Sequence, residues 1–183
     1  MHRIALFGLP GAGKSTFATL LVEEFDKAAI SAAIVKIGAP LYELQSLIHT
    51  LAGQPLLSAS QQDGLLLNDL AGHLRRINPA VLTDLFAARV TSAAPGTGLV
   101  CDDLRAPDVD AVEQLGFVLV EVQAPEAVRQ ARKQRRGDLT PGREDHPSEA
   151  PIDRKPHYRV ANDSTLTALR HEAATLIKRL DEG

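Results

Sequence analysis

Residues 8–15 form a glycine-rich octapeptide with the pattern of a glycine, four further residues and then Gly-Lys-Ser. An apolar run at residues 4–7 precedes it, and apolar residues recur at helical spacing from residue 14 to residue 28. A strand, a glycine-rich turn and a helix in this order let successive backbone N–H groups point into one cavity, where the positive end of the helix dipole favours an anion. The octapeptide therefore predicts a phosphate-binding loop at the carboxyl end of a buried strand.

This phosphate loop gives its own residues distinct candidate roles. Lys14 is expected to reach the β- and γ-phosphates of ATP, which makes it a candidate catalytic residue, and the Ser15 hydroxyl is expected to ligate Mg²⁺. The sequence thus predicts ATP and Mg²⁺ as the cofactors. The loop residues expected to bind the nucleotide are Gly11, Ala12, Gly13, Lys14, Ser15 and Thr16.

Beyond the loop, short apolar runs alternate with segments of helical periodicity. Further strands are predicted at residues 32–37, 99–102, 117–122 and 157–161. Helices are predicted at residues 41–51, 63–77, 79–91, 108–115, 125–136 and 165–180. Because strands that alternate with helices form a parallel sheet with helices on both faces, the sequence predicts a three-layer α/β fold.

The composition argues against several classes of protein. The 20 basic residues are offset by 23 acidic ones, and the resulting net charge of −3 argues against a nucleic-acid partner. The single cysteine, Cys101, excludes an intrachain disulfide and a cysteine-based zinc cluster. Since no stretch has the pattern of a secretory signal or a membrane span, we expect a cytoplasmic protein without a membrane partner. The length of 183 residues suits a single domain over residues 1–183, and a homodimer is left open.

Two adjacent acidic residues, Asp102 and Asp103, lie at the end of the third predicted strand. At the carboxyl edge of a parallel sheet such acids lie beside the phosphate loop, where they can hold Mg²⁺ through water. Because side chains alternate in direction along a strand, we expect only one of the two to point into the crevice. The alternative interpretation is that either acid caps the helix that follows.

Four basic residues of the predicted helix at 125–136 share one helical face: Arg129, Arg132, Lys133 and Arg136. Such a stripe is commonly a solvated surface, but phosphoryl transfer needs positive charge over the transferring group. We therefore predict that Arg132 and Arg136 are catalytic and that Arg132 also binds the nucleotide. Residues 137–156 follow directly and are rich in proline and charge but poor in apolar side chains, which predicts a mobile lid.

Five further segments agree in order and spacing with one family. They are residues 36–43, residues 70–79, the Asp-Leu-Arg of residues 103–105, the His-Pro-Ser-Glu of residues 146–149, and residues 162–166. Together with the phosphate loop they resemble the deoxynucleoside monophosphate kinase family of P-loop kinases, over nearly the whole chain. Phosphomevalonate kinases have a similar lid and Ser-Glu ending, so the resemblance leaves the acceptor open.

The resemblance implies a five-stranded parallel sheet with strand order 2-3-1-4-5, acceptor-binding helices at about residues 40–91 and a lid at about residues 137–156. It implies that Arg105 is catalytic and that Asn162 and Ser164 border the nucleotide base. The residues that it implies for acceptor binding are Lys36, Arg75, Arg76, Asp103 and Arg105. Since Arg75 and Arg76 are consecutive, at most one of them is expected to face the crevice.

The predicted activity is transfer of the ATP γ-phosphoryl group to a small phosphorylated acceptor, a (deoxy)nucleoside monophosphate. A phosphate acceptor needs cations around it rather than a base, and basic residues predominate on the implied acceptor side. A hydroxyl acceptor needs a carboxylate, and whichever of Asp102 and Asp103 does not hold Mg²⁺ is available for that role. Two alternatives therefore stay open. One is a kinase of another acceptor (a phosphomevalonate-like ester, or a nucleoside or antibiotic hydroxyl), and the other is a nucleotide-binding regulatory protein without an acceptor.

Overall fold

A computed structural model describes residues 2–58, 61–143 and 146–182, except for the side chains of Arg136 and Glu149. Its five parallel strands are β1 (Arg3–Phe7), β2 (Ala32–Ile34), β3 (Gly98–Cys101), β4 (Val118–Gln123) and β5 (Tyr158–Ala161). Their order across the sheet is β2-β3-β1-β4-β5, which confirms the predicted order. Since β1 is the central strand, the phosphate loop that follows it emerges at the middle of the carboxyl edge of the sheet.

The helices lie close to the positions that the apolar periodicity predicts. Those in the described residues are α1 (Lys14–Lys27), α2 (Ala39–Leu51), α3 (Gly64–Ile77), α4 (Val81–Ser92), α5 (Val109–Gln114), α6 (Glu126–Arg136) and α7 (Leu166–Glu182). Short 3₁₀ turns at Ala106–Asp108 and Pro147–Glu149 connect them. Among the described helices, none combines the length and the apolar character that crossing a membrane would take.

Helices cover both faces of the sheet, which confirms the predicted three layers. On one face α1 and α7 bury large apolar side chains, among them Phe17, Phe25 and Leu176. On the other face α4 and α5 bury Phe86 and Val112. Every residue of β3 is buried, because a central strand with helices above and below needs apolar residues at each position. Burial of each large apolar side chain stabilises the fold by about 1.5–3 kcal/mol.

The second strand is shorter than the sequence predicts. It ends at Ile34 rather than at residue 37, because it is the edge strand and the chain bends over the end of the sheet there. The Val35 N–H still donates to the carbonyl oxygen of Val100, with 2.9 Å between nitrogen and oxygen. The bend brings Lys36 to the carboxyl end of β3, beside the two acidic residues.

Candidate active site

The phosphate loop turns tightly between β1 and α1. Gly8, Gly11 and Gly13 have φ angles of +134°, +82° and +97°, a region that residues with a side chain rarely adopt. A Cβ atom on Gly8 would lie 2.2 Å from the carbonyl oxygen of Val122, and one on Gly11 would lie 2.6 Å from that of Arg129. The loop therefore lies directly against β4 and α6, with the curled backbone that a phosphate cradle requires.

The amino terminus of α1 opens into the same space. Gly13 is its N-cap residue and has no side chain with which to satisfy the N–H groups of the first turn. The first turn, read from Lys14 onward, contains no acidic residue that would offset the positive end of the helix dipole. The Lys14 Nζ donates to the carbonyl oxygen of Gly8 at 2.8 Å, so the ammonium group lies across the loop. This set of donors fits the polyphosphate of a nucleoside triphosphate.

The loop forms one end of a cleft of about 1160 Å³ that crosses the sheet edge to α2, α3 and α4. A pocket for one small ligand has roughly 300–1,000 Å³, so this cleft has room for two substrates side by side. Five of the six loop residues predicted to bind the nucleotide line it, namely Gly11, Gly13, Lys14, Ser15 and Thr16. Ala12 is fully buried beneath the loop. Apolar side chains line the far end, namely Leu41, Tyr42, Leu67, Ala71 and Leu82.

Both acidic residues that follow β3 line the cleft, whereas the sequence predicts that only one of them would. The prediction is wrong because β3 ends at Cys101, so the alternation of a strand no longer applies to the next two residues. Asp102 is buried and accepts two hydrogen bonds from the Lys36 Nζ, at 2.7 and 2.9 Å. Asp103 accepts at 2.9 Å from each of two backbone N–H groups, those of Ile37 and Gly38.

The environment of Asp103 changes its acidity. Burial raises the pKa of the Asp103 carboxyl group, the Gly38 N–H that it accepts lowers it, and the negative charge of Asp102 raises it again. The net pKa is above the ordinary value for aspartate. Asp103 is therefore a stronger proton acceptor than an exposed aspartate when it is ionised.

Three of the oxygen donors at the cleft, those of Ser15, Asp102 and Asp103, are of the kind that Mg²⁺ prefers. Among the described residues, no group of three or more His, Cys, Asp and Glu side chains is arranged to hold a metal ion by itself. Mg²⁺ commonly keeps several waters and binds through one or two carboxylates together with substrate phosphates. The residues at the cleft fit such a shared site.

Arg132 reaches from α6 to the back of the phosphate loop. Its Nη1 atom donates to the carbonyl oxygens of Gly11 and Ala12 at 3.4 and 3.3 Å. Its Nη2 atom donates to the side-chain oxygen of Asn162 at 3.2 Å, and the Asn162 Nδ2 donates to the Ala12 carbonyl at 2.7 Å. Arg132 and Asn162 therefore support the loop from behind, and Arg132 also lines the cleft.

The other residues that the sequence predicts near the nucleotide differ in whether they line the cleft. Asn162 is buried behind the loop and Ser164 is exposed, and neither is among the residues that line the cleft. Arg129 and Lys133, which share the basic face with Arg132, do line the cleft. The side chain of Arg136 lies outside the described part of the structure.

On the acceptor side the structure separates Arg75 from Arg76. Because neighbouring residues of a helix point about 100° apart, Arg75 lines the cleft while Arg76 is exposed and does not. Arg105 and Lys36 line the cleft as well. Of the basic residues implied for acceptor binding, three of the four therefore lie in the same cleft as the phosphate loop.

The sequence gives no role to Asp108, the carboxylate that holds Arg75. The Arg75 Nη2 donates to both Asp108 oxygens, at 2.8 and 3.0 Å, and Asp108 has no exposed surface. Burial raises the pKa of the Asp108 carboxyl group, and the positive charge of Arg75 lowers it. The two residues are 33 positions apart. The sequence feature that could have pointed to Asp108 is its position three residues after Arg105.

The lid segment, residues 137–156, contacts α3 in its described parts. The Leu139 N–H donates to the carbonyl oxygen of Gln62 at 2.9 Å, and the Gly64 N–H donates to that of Thr140 at 3.0 Å. A Cβ atom on Gly64 would lie 2.2 Å from the backbone nitrogen of Gly142, so the glycine is what permits this approach. The segment thus pairs like a short strand with the residues that begin α3.

Asn68 extends this contact along α3. It is buried, and its side-chain oxygen accepts from the Arg143 N–H at 2.7 Å. Its Nδ2 donates to the Ser148 hydroxyl at 3.3 Å, while Asp69 forms an ion pair with Arg143 at 3.0 Å. In this structure the segment that the sequence predicts to be a lid therefore lies against α3.

Asp63 is the N-cap residue of α3, and its carboxylate accepts hydrogen bonds from the Leu66 N–H in the helix and from the Thr140 hydroxyl in the lid segment. Burial acts to raise the pKa of Asp63, but the Thr140 hydroxyl, the Leu66 N–H and His49 outweigh burial and lower it. An acid with a lowered folded-state pKa stabilises the fold above its unfolded pKa of about 4, and this stabilisation is lost as the pH falls through the folded-state value.

Thr140→Val is expected to make the stability of the protein less dependent on pH on the acid side. The valine removes the hydroxyl that donates to Asp63, so the Asp63 pKa rises towards its ordinary value and the variant is less stable than the parent at pH 7. The two free energies of unfolding should converge as the pH falls below about 4, the unfolded pKa, and through the lower folded-state pKa of Asp63, as measured by urea titration. Thr91→Val, which removes an exposed hydroxyl on α4, is the control. Parallel curves for the Thr140 variant and the parent would contradict the role of this bond.

The order of the strands, the phosphate loop and the two-substrate cleft define the fold of the P-loop small-molecule kinases. Residues 4–155 match the family described as AAA domain, and the chain belongs to that family. No curated protein matches the sequence significantly.

Solved structures share this fold over almost their whole length. The Mycobacterium tuberculosis APS kinase in complex with AMPPNP and APS is 21% identical, with a TM-score of 0.54 and 98% of both chains covered. A Sinorhizobium meliloti gluconokinase is 18% identical, with a TM-score of 0.54, and 99% of this chain and 94% of that chain are covered. The Acinetobacter baumannii shikimate kinase in complex with shikimate is 14% identical, with a TM-score of 0.53 and coverages of 100% and 94%.

Proposed function

We propose that this protein is an ATP-dependent kinase whose acceptor is a nucleoside or deoxynucleoside monophosphate. The observation that carries the proposal is that Lys36, Arg75 and Arg105 line the same cleft as the phosphate loop. A cleft that contains both a phosphate cradle and three further cations suits a reaction between two phosphates. The kinase fold and the family support the donor half of this proposal.

The donor phosphates are assigned to the phosphate loop. The N–H groups of the loop and of the first turn of α1, together with Lys14, would hold the β- and γ-phosphates. Mg²⁺, held by Ser15 and an aspartate after β3, would neutralise charge on these phosphates when it is bound. Arg132 is placed to stabilise the loop and to add positive charge at its edge.

The acceptor phosphate is assigned to the basic residues opposite. A phosphate monoester is largely dianionic near neutral pH and needs no base to become a nucleophile. The obstacle is repulsion between two anions, and fixed cations in a cleft lower it. Acidic partners hold Lys36 and Arg75 in place, namely Asp102 for Lys36 and Asp108 for Arg75.

A second candidate function is phosphorylation of a hydroxyl group. The observation that favours it is Asp103, a carboxylate in the cleft whose pKa burial raises above the ordinary value. A hydroxyl acceptor must lose a proton as it attacks, and a carboxylate of raised pKa is suited to accept that proton. In the hydroxyl reaction the three cations lower no repulsion between substrates unless the acceptor is itself an anion. We therefore rank phosphorylation of a hydroxyl group second.

A coupled assay of ADP release separates these functions. The purified protein with ATP and Mg²⁺ is given, one at a time, nucleoside monophosphates, phosphomevalonate and unphosphorylated nucleosides. We expect ADP release to depend on a nucleoside monophosphate. Faster turnover with an unphosphorylated nucleoside than with its monophosphate would favour the hydroxyl reaction. ADP release that no added acceptor stimulates would indicate a nucleotide-binding regulatory protein.

Arg75→Met is expected to raise the KM for the acceptor about tenfold or more and to leave the KM for ATP within about twofold. The reason is that Arg75 lies on α3 and lines the part of the cleft that we assign to the acceptor. Arg76→Met is a matched control, because it removes the same charge from the next position of the same helix, where the side chain is exposed. Steady-state kinetics with each substrate varied in turn gives both constants. Equal effects of the two substitutions would refute the assignment of Arg75.

A further inference from the structure

The pairing of Arg75 with Asp108 uses one side of the guanidinium group. A single nitrogen, Nη2, makes both hydrogen bonds to the carboxylate. Within the described part of the chain, Nε and Nη1 of Arg75 have no hydrogen-bond partner. A guanidinium has five N–H donors in one rigid plane, so holding one nitrogen, together with the attachment of the side chain to α3, restricts the directions in which the other donors can point.

Asp108 is itself held firmly. It has no exposed surface and lies at the end of the 3₁₀ turn Ala106–Asp108, directly before α5. The Asp108 N–H donates to the carbonyl oxygen of Arg105 at 3.0 Å. Asp108 borders the cleft but has no exposed surface, and both of its carboxylate oxygens accept from Arg75, so an acceptor has no accessible atom of Asp108 to touch. Apart from the long-range effect of its charge, Asp108 can therefore influence the acceptor only through Arg75.

We infer that Asp108 is a positioning residue, which turns the unpaired edge of Arg75 towards the phosphate of the acceptor. This inference rests on the proposed function, since it concerns the same acceptor side of the cleft. A guanidinium whose plane is set in advance can bind two phosphate oxygens without losing side-chain entropy on binding. The pair therefore acts as a preorganised phosphate clamp, with Asp108 as the fixed part and Arg75 as the contact.

Asp108 can affect acceptor binding in two opposite ways. The direction in which a substitution of Asp108 changes acceptor binding therefore shows which effect is larger. A carboxylate near the cleft repels an anionic acceptor, and if this repulsion were its main effect, neutralising it would strengthen acceptor binding. If orientation of Arg75 is the main effect, neutralising it weakens acceptor binding, because the guanidinium is no longer held in one plane. We expect orientation to be the larger effect, since misplacing a group by about 1 Å can cost roughly 100-fold in rate.

The first test is steady-state kinetics of Asp108→Asn, which keeps the shape of the side chain and removes its charge. We expect the KM for the acceptor to rise about tenfold or more, with the KM for ATP within about twofold. Asp84→Asn, at an exposed acidic position on α4, is the matched control and should leave both constants unchanged. A lower acceptor KM would overturn the inference in favour of simple repulsion. An equal rise in both constants would overturn it in favour of a general structural role.

The second test asks whether Asp108 acts through Arg75. In an Arg75→Met background, adding Asp108→Asn should leave the acceptor KM within about twofold of that of Arg75→Met alone, because the contact is already lost. The double variant should also unfold at a higher temperature than Arg75→Met, which leaves a buried carboxylate without its partner. A further rise in the acceptor KM would overturn the inference. Should Asp108→Asn not fold, Asp108→Glu, which keeps the charge and shifts the guanidinium, is expected to show the same split.

A binding measurement separates this inference from the proposed function. Inorganic phosphate is titrated by calorimetry into protein saturated with a non-hydrolysable ATP analogue, so that the phosphate loop is already filled. We expect Asp108→Asn to bind phosphate about tenfold more weakly than the parent. If no nucleoside monophosphate supports turnover but this weakening is observed, the proposed function fails and the clamp stands. If the parent binds phosphate no better than Arg75→Met does, the clamp fails.

Discussion

Lys14→Met is expected to slow phosphoryl transfer by about 100-fold or more while the protein stays folded. Lys14 is the first residue of α1, and its ammonium group lies across the phosphate loop, where charge moves during the reaction. Its side chain is half-exposed and belongs to neither apolar core, so its loss should cost little stability. The rate is measured at saturating ATP and acceptor, and the melting temperature is measured alongside it.

Lys27→Met is the matched control for this substitution. It removes the same charge from the other end of the same helix, where the side chain is exposed and paired with Glu24. We expect its turnover to match that of the parent. Turnover of the Lys14 variant within about threefold of the parent would show that Lys14 does not contact the transferring phosphate.

Gly8→Ala is expected to destabilise the protein by about 3 kcal/mol or more. The added Cβ would lie 2.2 Å from the carbonyl oxygen of Val122, and the φ angle of +134° is unfavourable for alanine. Relief of the contact requires β1 and β4 to move apart in the centre of the sheet. For a chain of this length the loss corresponds to a fall of roughly 10 °C in Tm.

Gly53→Ala shows how much of the stability loss expected for Gly8→Ala comes from the close contact with Val122 and how much comes from the positive φ angle. Gly53 also has a positive φ, +73°, but nothing lies within 4 Å of the position that its Cβ would take. We expect this variant to lose only about 1 kcal/mol, the cost of the backbone angle alone. The melting temperatures of the two variants give the comparison. Similar losses for both would mean that the loop does not press on β4.

The fold was predictable from local patterns to a large extent. The phosphate loop predicts a strand before it and a helix after it, and β1 and α1 are found there. The central strands are short apolar runs because both faces of the sheet are covered, so every position needs an apolar residue. The strand order followed from the resemblance to nucleotide kinases, because apolar periodicity carries no information about which strands are neighbours.

The geometry of the site was predictable only in part, because it depends on contacts between distant positions. Lys36 and Asp102 are 66 residues apart, and the ion pair between them arises because β2 ends early beside β3. The choice between Arg75 and Arg76 depends on the rotation of α3 about its axis, which Asp108 reveals and the helical pattern does not. Asn162 lies behind the loop because Arg132 and Ala12 bind its side chain there.

The docking of the lid on α3 has a consequence for how proteins of this architecture diverge. The donor half of the cleft is joined to α6 and to the residue after β5, through Arg129, Arg132 and Asn162. The acceptor half is joined instead to α3 and the lid, through Asn68 and Thr140. Under the proposed function, substitutions in α3 and the lid can therefore accumulate with little effect on the nucleotide half, whereas the Lys36–Asp102 ion pair joins the two halves. Among related chains, acceptor preference is expected to change repeatedly over a donor site that evolves slowly.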